Sequence, residues 1–213
     1  MKLTKHEHAC VVLEKDGGRV VIDPGAFSTG AAEIIAGADA VLLTHEHMDH
    51  VNEAAINAAL ADRPDLRVYA PAALGSMFSG HAEQFTAVTA GDALDLASFA
   101  ITVHGYEHAV IHPDIPAVSN VGYLFDGTVY HPGDAYFVPK VPVTVLLLAT
   151  SGPWMKLGEA VDFVRAVRPQ QTVQIHEMLL SDIGLGLTGS LLGENGLTSV
   201  PFTAVPAGAS VSF

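Results

Sequence analysis

Residues 45–50 read His45-Glu46-His47-Met48-Asp49-His50 and follow directly on the apolar run Ala40-Val41-Leu42-Leu43-Thr44. An unbroken apolar run of this length, closed by polar residues, predicts a strand buried on both faces. Four ligand-type side chains are then gathered in one short turn at its end. Imidazole and carboxylate are the groups that bind zinc-type ions at neutral pH. A single turn carrying four of them can hold two ions close together, so metal-dependent chemistry leads the reading of the chain. A helical His-Glu-x-x-His protease site does not fit, because Asp49 stands where the second histidine of that motif would be.

The rest of the chain alternates strand and helix signals. Strands are expected at residues 3–13, 19–23, 40–44 and 67–70, with helices at 31–36, 52–61 and 71–78. A second series follows, with strands at 85–88, 93–96, 99–106, 122–126, 128–131, 143–149, 172–176, 200–205 and 209–213. Helices are expected at 157–167 and from Glu177 onward. Asp16-Gly17 and Asp126-Gly127 are hairpin turn signals. Hairpins mixed with strand–helix–strand units imply an α/β fold with mixed sheets, best satisfied by two sheets face to face with helices on the outer faces. No linker-like tract or short repeat interrupts the chain, which is read as one domain over residues 1–213. The glycine-rich stretch 184–189 lacks the preceding strand that a dinucleotide site needs, and is read as a flexible loop bordering the cleft.

Composition narrows the function. Hydrophobic residues make up 49% and charged ones 15%, with a formal net charge of −13 and only ten Lys+Arg. Such a surface repels polyanions, so nucleic acid is not an expected partner. The single Cys10 cannot form an internal disulfide and reads as a buried strand residue. There is no apolar leader and no run of about eighteen apolar residues, so a cytoplasmic protein without a membrane span is expected. The apolar composition permits a homo-oligomer without locating its surface.

Further candidate ligands sit where strands open into loops: His108, Asp134 and His176. His104, His108 and His112 lie close together, and His104 shares strand parity with His108 if the strand continues, so the residues alone leave the third histidine open. Asp23 ends a strand beside the ligand strand and is the first candidate to hold an imidazole from behind; His8 and Thr44 are others. His112 is either a proton donor at the pocket mouth or an ordinary loop histidine. Trp154 is either an apolar pocket wall or core packing, and Phe27 and Tyr136 are further pocket candidates. His131 reads as a structural residue setting the loop of Asp134.

The motif His45-x-His47-x-Asp49-His50, followed in order by His108, Gly133-Asp134 and His176, resembles the metallo-β-lactamase-fold superfamily over nearly the whole chain. The opening Glu7-His8-Ala9 and Val21-Ile22-Asp23-Pro24-Gly25 are similar as well. Within that superfamily the chain looks closest to small zinc-dependent hydrolases related to ascorbate-6-phosphate lactonase. The resemblance implies a four-layer αβ/βα sandwich with the site at one edge between the sheets. It implies one ion on His45, His47 and His108, a second on Asp49, His50 and His176, and Asp134 bridging them. Zn²⁺ is the expected metal, and the same donor set accepts Mn²⁺ or Fe²⁺. The expected function is hydrolysis of a small ester, lactone or phosphoester by a metal-bound hydroxide, with Asp49 handling the proton. The commonest class B β-lactamases carry a cysteine where Asp134 stands, which disfavours β-lactam hydrolysis. Two rivals are a metal-binding sensor or scaffold without turnover and a nuclease of the same fold.

Overall fold

The buried run at 40–44 supplies an inner strand of a seven-stranded sheet in the computed structural model, which describes residues 1–213. The first sheet is built from Lys2–Lys5 (β1), Val11–Lys15 (β2), Gly18–Ile22 (β3), Ala40–Leu42 (β4), Arg67–Ala70 (β5) and Phe85–Ala87 (β6). The second takes Ala93–Leu96 (β7), Phe99–His104 (β8), Gly122–Phe125 (β9), Val129–His131 (β10), Val145–Ala149 (β11), Gln171–Ile175 (β12) and Phe202–Thr203 (β13). Ser210–Ser212 (β14) returns to the first sheet and pairs with β1. The two sheets share one plan. Antiparallel strands lie on one side, with parallel strands β3 to β6 or β10 to β13 on the other.

Period-2 alternation decides the layers. Val11, Leu13, Val20, Ile22 and Leu42 point to the second sheet and pack on Ile101, Val103, Tyr123, Phe125, Leu147 and Val173. Their neighbours Val12, Val21, Val41 and Leu43 point the other way, onto helices Ala31–Ala36 (α1) and Glu53–Asp62 (α2). On the far side, Leu146 and Leu148 pack on helix Leu157–Val167 (α3) and on Leu192 of helix Asp182–Leu192 (α4). The result is the expected four-layer αβ/βα sandwich. Both Asp-Gly signals form hairpins, with positive φ at Asp16, Gly17, Asp126 and Gly127 as type I′ turns require. No helix is long and apolar enough to cross a membrane. Cys10 is buried, and burial pushes its thiol up to about 12.

Four expectations fail locally. Residues 3–13 are not one strand: the chain turns at 6–10 between β1 and β2, with Cys10 N–H donating to Glu7 O. The helix expected at 71–78 is a run of 3₁₀ turns, Ala72–Gln84, interrupted at Phe78 and His81. The two closing strands are shorter than expected, β13 holding only two residues and β14 three. The glycine-rich stretch 184–189 lies inside α4 and not in a loop. Ser181 caps that helix by accepting from Gly184 N–H, and Thr188 and Leu192 are buried under it. Each glycine costs about 0.5–1 kcal/mol there relative to alanine, and the cap and packing offset this.

Candidate metal centre

Strand ends assemble the site. β4 runs out through Thr44 into the His45–His50 turn, β3 into Asp23, β10 into Asp134 and β12 into His176. Two glycines make the approach close enough. A Cβ on Gly25 would sit 1.8 Å from Asp49 O, and one on Gly133, where φ is +65°, would sit 2.3 Å from Asn120 Oδ1. Asp23, His8 and His176 hold left-handed backbone at φ 49°, 60° and 59°, conformations that side chains other than glycine rarely adopt.

Two groups of ligand atoms face each other. His45, His47 and His108 form one; Asp49, His50 and His176 form the other, joined by His8; within each group the ligand atoms lie within 4.8 Å of one another. His45 Nε2 and His47 Nδ1 approach to 3.1 Å. Asp134 lies between the groups, with Oδ1 3.1 Å from His50 Nε2 and Oδ2 3.0 Å from His176 Nε2 and 3.5 Å from His108 Nε2. The seven residues singled out in the sequence are thus brought together, and His108 is the third histidine of the first group. His104 is not, because Gly105, at φ +74°, ends β8 and cancels the parity argument. Its Nε2 instead bonds Thr102 Oγ1 at 2.9 Å.

Groups behind the cluster set the tautomers. Asp23 Oδ1 accepts Thr44 N–H at 2.8 Å; Oδ2 accepts the Thr44 hydroxyl and His50 Nδ1–H, both at 2.7 Å. With its proton on Asp23, Thr44 Oγ1 accepts from His45 Nδ1–H at 3.0 Å. His108 Nδ1–H donates to Ala109 O at 2.6 Å. With Nδ1 engaged by an acceptor, Nε2 is the atom that His45, His50 and His108 each aim into the cluster. Asp49 Oδ2 accepts His8 Nε2–H at 3.0 Å, and the His8 ring lies 3.6 Å from that of His176. His131 is neutral and structural: Nε2–H donates to Ala9 O and Nδ1 accepts Gly133 N–H.

Electrostatics follow from burial and pairing. Burial first, then neighbouring His50, holds His45 well below its ordinary value; burial and His108 lower His47. Burial would also lower His50, but the Asp134 and Asp23 carboxylates outweigh it and raise it well above the ordinary value. Burial works against ionised Asp49, yet the His176 ring, its Nε2 3.4 Å away, and the hydrogen bond from His8 hold it well below the carboxylate range; His50, with His108 and His176, does the same for Asp134.

A cation fits this donor set. His50 Nε2, His108 Nε2, His176 Nε2 and Asp134 Oδ1 are all buried without a directed hydrogen bond, although they crowd one small volume. Leaving such groups unsatisfied costs about 1–3 kcal/mol each. Coordination of divalent cations by imidazole and carboxylate would satisfy all of them.

Two of the residues expected at the pocket lie away from the cluster, and a third lies behind it. His112 is exposed in the loop after His108 and takes Asp114 N–H on its own Nδ1 at 3.1 Å, outside the cluster. Tyr136 turns inward, stacking on Phe163 and donating to Ala149 O at 3.1 Å. Trp154 is buried rather than a wall, and its indole N–H donates to Asp134 Oδ2 at 2.7 Å. Phe27 lies at the edge, its ring 5.1 Å from that of His8. Asn120 was not singled out in the sequence. Its Oδ1 accepts Asp134 N–H at 3.0 Å while its Nδ2 donates to Pro132 O. No spacing rule marks such a residue, since its partners lie 12 and 14 positions away.

Comparison with known proteins places this geometry. Residues 2–176 match the Beta-lactamase superfamily domain. The chain is 38% identical to Protein Rv0786c of Mycobacterium tuberculosis, with 100% of both chains covered. It is 30% identical to a Myxococcus xanthus protein described as a metal-dependent hydrolase, covering 86% of this chain and 74% of that one. Among solved structures, Igni18, described as a metallo hydrolase from Ignicoccus hospitalis, has a TM-score of 0.75 at 21% identity, with 100% of this chain and 97% of that one covered. That last likeness speaks to the fold, which the two share; the sequence relatives and the matched domain speak to the family. The chain therefore belongs to the beta-lactamase superfamily, within its family of metal-dependent hydrolases.

Proposed function

We propose that the protein hydrolyses a small ester, lactone or phosphoester at a centre of two divalent cations, most simply Zn²⁺. One observation carries this reading: Asp134 stands within 3.5 Å of imidazole nitrogens from both ligand groups, which is the placement of a bridging carboxylate. His45, His47 and His108 would hold one cation and Asp49, His50 and His176 the other. When bound, the pair would polarise the scissile group and bring the pKa of water down to about 7. Asp49, fixed by His8, orients the attacking water and passes a proton to the leaving group. Asp23 and Thr44 hold His50 and His45 in the tautomer that presents Nε2. Exposed His112 has no part in this scheme. A reducing, cytoplasmic setting suits a chain whose one thiol is buried.

Metal analysis of the purified protein, with turnover of aryl esters, lactones and bis(p-nitrophenyl) phosphate before and after chelation, tests the proposal. Two cations per chain and chelator-sensitive turnover are expected. A fully loaded protein inert to the whole panel would favour a sensor, and RNA association at low salt would reopen the nuclease reading. Trp154→Phe keeps the ring but removes the N–H on Asp134. Metal affinity, read by chelator competition, should fall about 10–100-fold, the usual effect of removing an outer-shell partner. Unchanged competition would mean that the indole N–H is idle.

A further inference from the structure

Two independent features of the rim bear on what enters this site. The first is charge. The ten cations of the chain are Lys2, Lys5, Lys15, Arg19, Arg63, Arg67, Lys140, Lys156, Arg165 and Arg168. None falls in residues 20–62, 68–139 or 169–213, the stretches that supply all seven candidate ligands. Of these cations, Lys5 is engaged and Lys156 is exposed. Lys5 is buried, donating to His6 O and to Glu177 Oε1 at 2.9 Å. Lys156, two residues past Trp154, lies 3.9 Å from Glu159 on α3. Lys140 and Arg168 line a groove at the opposite ends of β11 and β12, away from the ligands. The N-termini of α2 and α4 offer no substitute. α2 is capped by Asn52 and α4 by Ser181, and each carries an acid in its first turn, Glu53 or Asp182. Lys156 apart, no cationic side chain is placed beside the ligand segments to neutralise a phosphate group.

The second feature is apolar surface. Phe27, Met48, Val110, Ile115, Met178 and Leu179 are 36–66% exposed; Phe27 lies against His8, and the others lie on segments that deliver ligands. Met48 sits inside the His45–His50 turn, and its carbonyl accepts Ala26 N–H, which docks the Phe27 loop beside it. Val110 and Ile115 line a cleft together with His47 and His108. Met178 and Leu179 directly follow His176 and Glu177. Six exposed apolar side chains on four short segments around one polar cluster make a rim suited to hydrocarbon.

We infer that the substrate is an uncharged carboxylic ester or lactone with an apolar acyl chain, held by this rim, and that phosphoesters are disfavoured. This rests on the hydrolase reading above and narrows it. In the reaction the acyl C–O bond breaks and the oxygen of water joins the acyl carbon. One of its protons leaves with the alcohol and the other goes to solvent as the carboxylate forms.

The test uses zinc-loaded full-length protein and p-nitrophenyl acetate, butanoate and octanoate beside bis(p-nitrophenyl) phosphate. Calorimetric titration with acetate, octanoate and inorganic phosphate gives a readout independent of turnover. A fully buried methylene is worth about fourfold, and a half-exposed one about twofold. The octanoyl ester should therefore exceed the acetyl ester by about fiftyfold in kcat/KM, and octanoate should bind more tightly than acetate or phosphate. Ile115→Asp should lower octanoyl turnover at least about tenfold more than acetyl turnover. Ester turnover with no chain-length gradient, or faster cleavage of the phosphodiester, would overturn the inference while leaving the hydrolase reading intact. Tight octanoate binding with every ester inert would overturn the hydrolase reading, and the ester assignment with it, leaving the rim as an apolar binding surface only.

Discussion

Asp134→Ala is expected to empty both cation sites and to cut ester hydrolysis at least about a thousandfold. Lewis-acid stabilisation of this kind is worth several kcal/mol of barrier, and about 4 kcal/mol is a thousandfold in rate. Asp134 is the one carboxylate within reach of nitrogens from both ligand groups. Without it, a pocket of imidazoles facing one another has lost the counter-charge that makes the donor set suit divalent cations. His47→Ala is the contrast. His47 is half-buried and belongs to one group only, so metal content should fall from two ions towards one with the fold retained. Elemental analysis, kcat/KM and circular dichroism on both variants check this. Full metal content in Asp134→Ala would end the bridging assignment.

Asp23→Ala is expected to have the largest effect on stability. The carboxylate is fully buried and accepts three donors: Thr44 N–H, the Thr44 hydroxyl and His50 Nδ1–H. Each donor left unsatisfied costs about 1–3 kcal/mol, so a loss of about 3–9 kcal/mol follows for the three. For a chain of this size, each kcal/mol moves Tm by about 2–4 °C, giving a fall of at least about 6 °C. Thermal unfolding of metal-free protein isolates this from ligand loss. A change of less than about 3 °C would mean that the donors find other partners and that Asp23 is not what holds the ligand turn.

Much of the site was legible because its signal is local. The turn His45–His50 follows its strand without a gap, so both its position and its donor set are readable from neighbouring residues. The hairpins at Asp16-Gly17 and Asp126-Gly127 are equally local, since the positive φ they need is a property of the turn itself. His108 was harder to choose over His104. The parity argument assumes a continuing strand, and Gly105 ends it. The indole of Trp154 on Asp134 and the ring of His8 on Asp49 span 20 and 41 positions, and no periodicity encodes such pairs. The glycine-rich stretch misled for a related reason. Helix propensity argued against α4, and tertiary packing of Thr188 and Leu192 overrode it.

Alternation of apolar residues along the chain determined that there would be two sheets covered by helices. The motif after residue 44 determined that imidazoles and carboxylates would meet at one strand end. Both are short-range properties, carried by side chains a few positions apart. Only the tertiary structure decided which distant groups complete the cluster, because strand β10 brings Asp134, and β12 His176, across the gap between sheets. It also decided which tautomer each imidazole holds, since that depends on acceptors such as Asp23 and Ala109 whose placement follows from the packed fold.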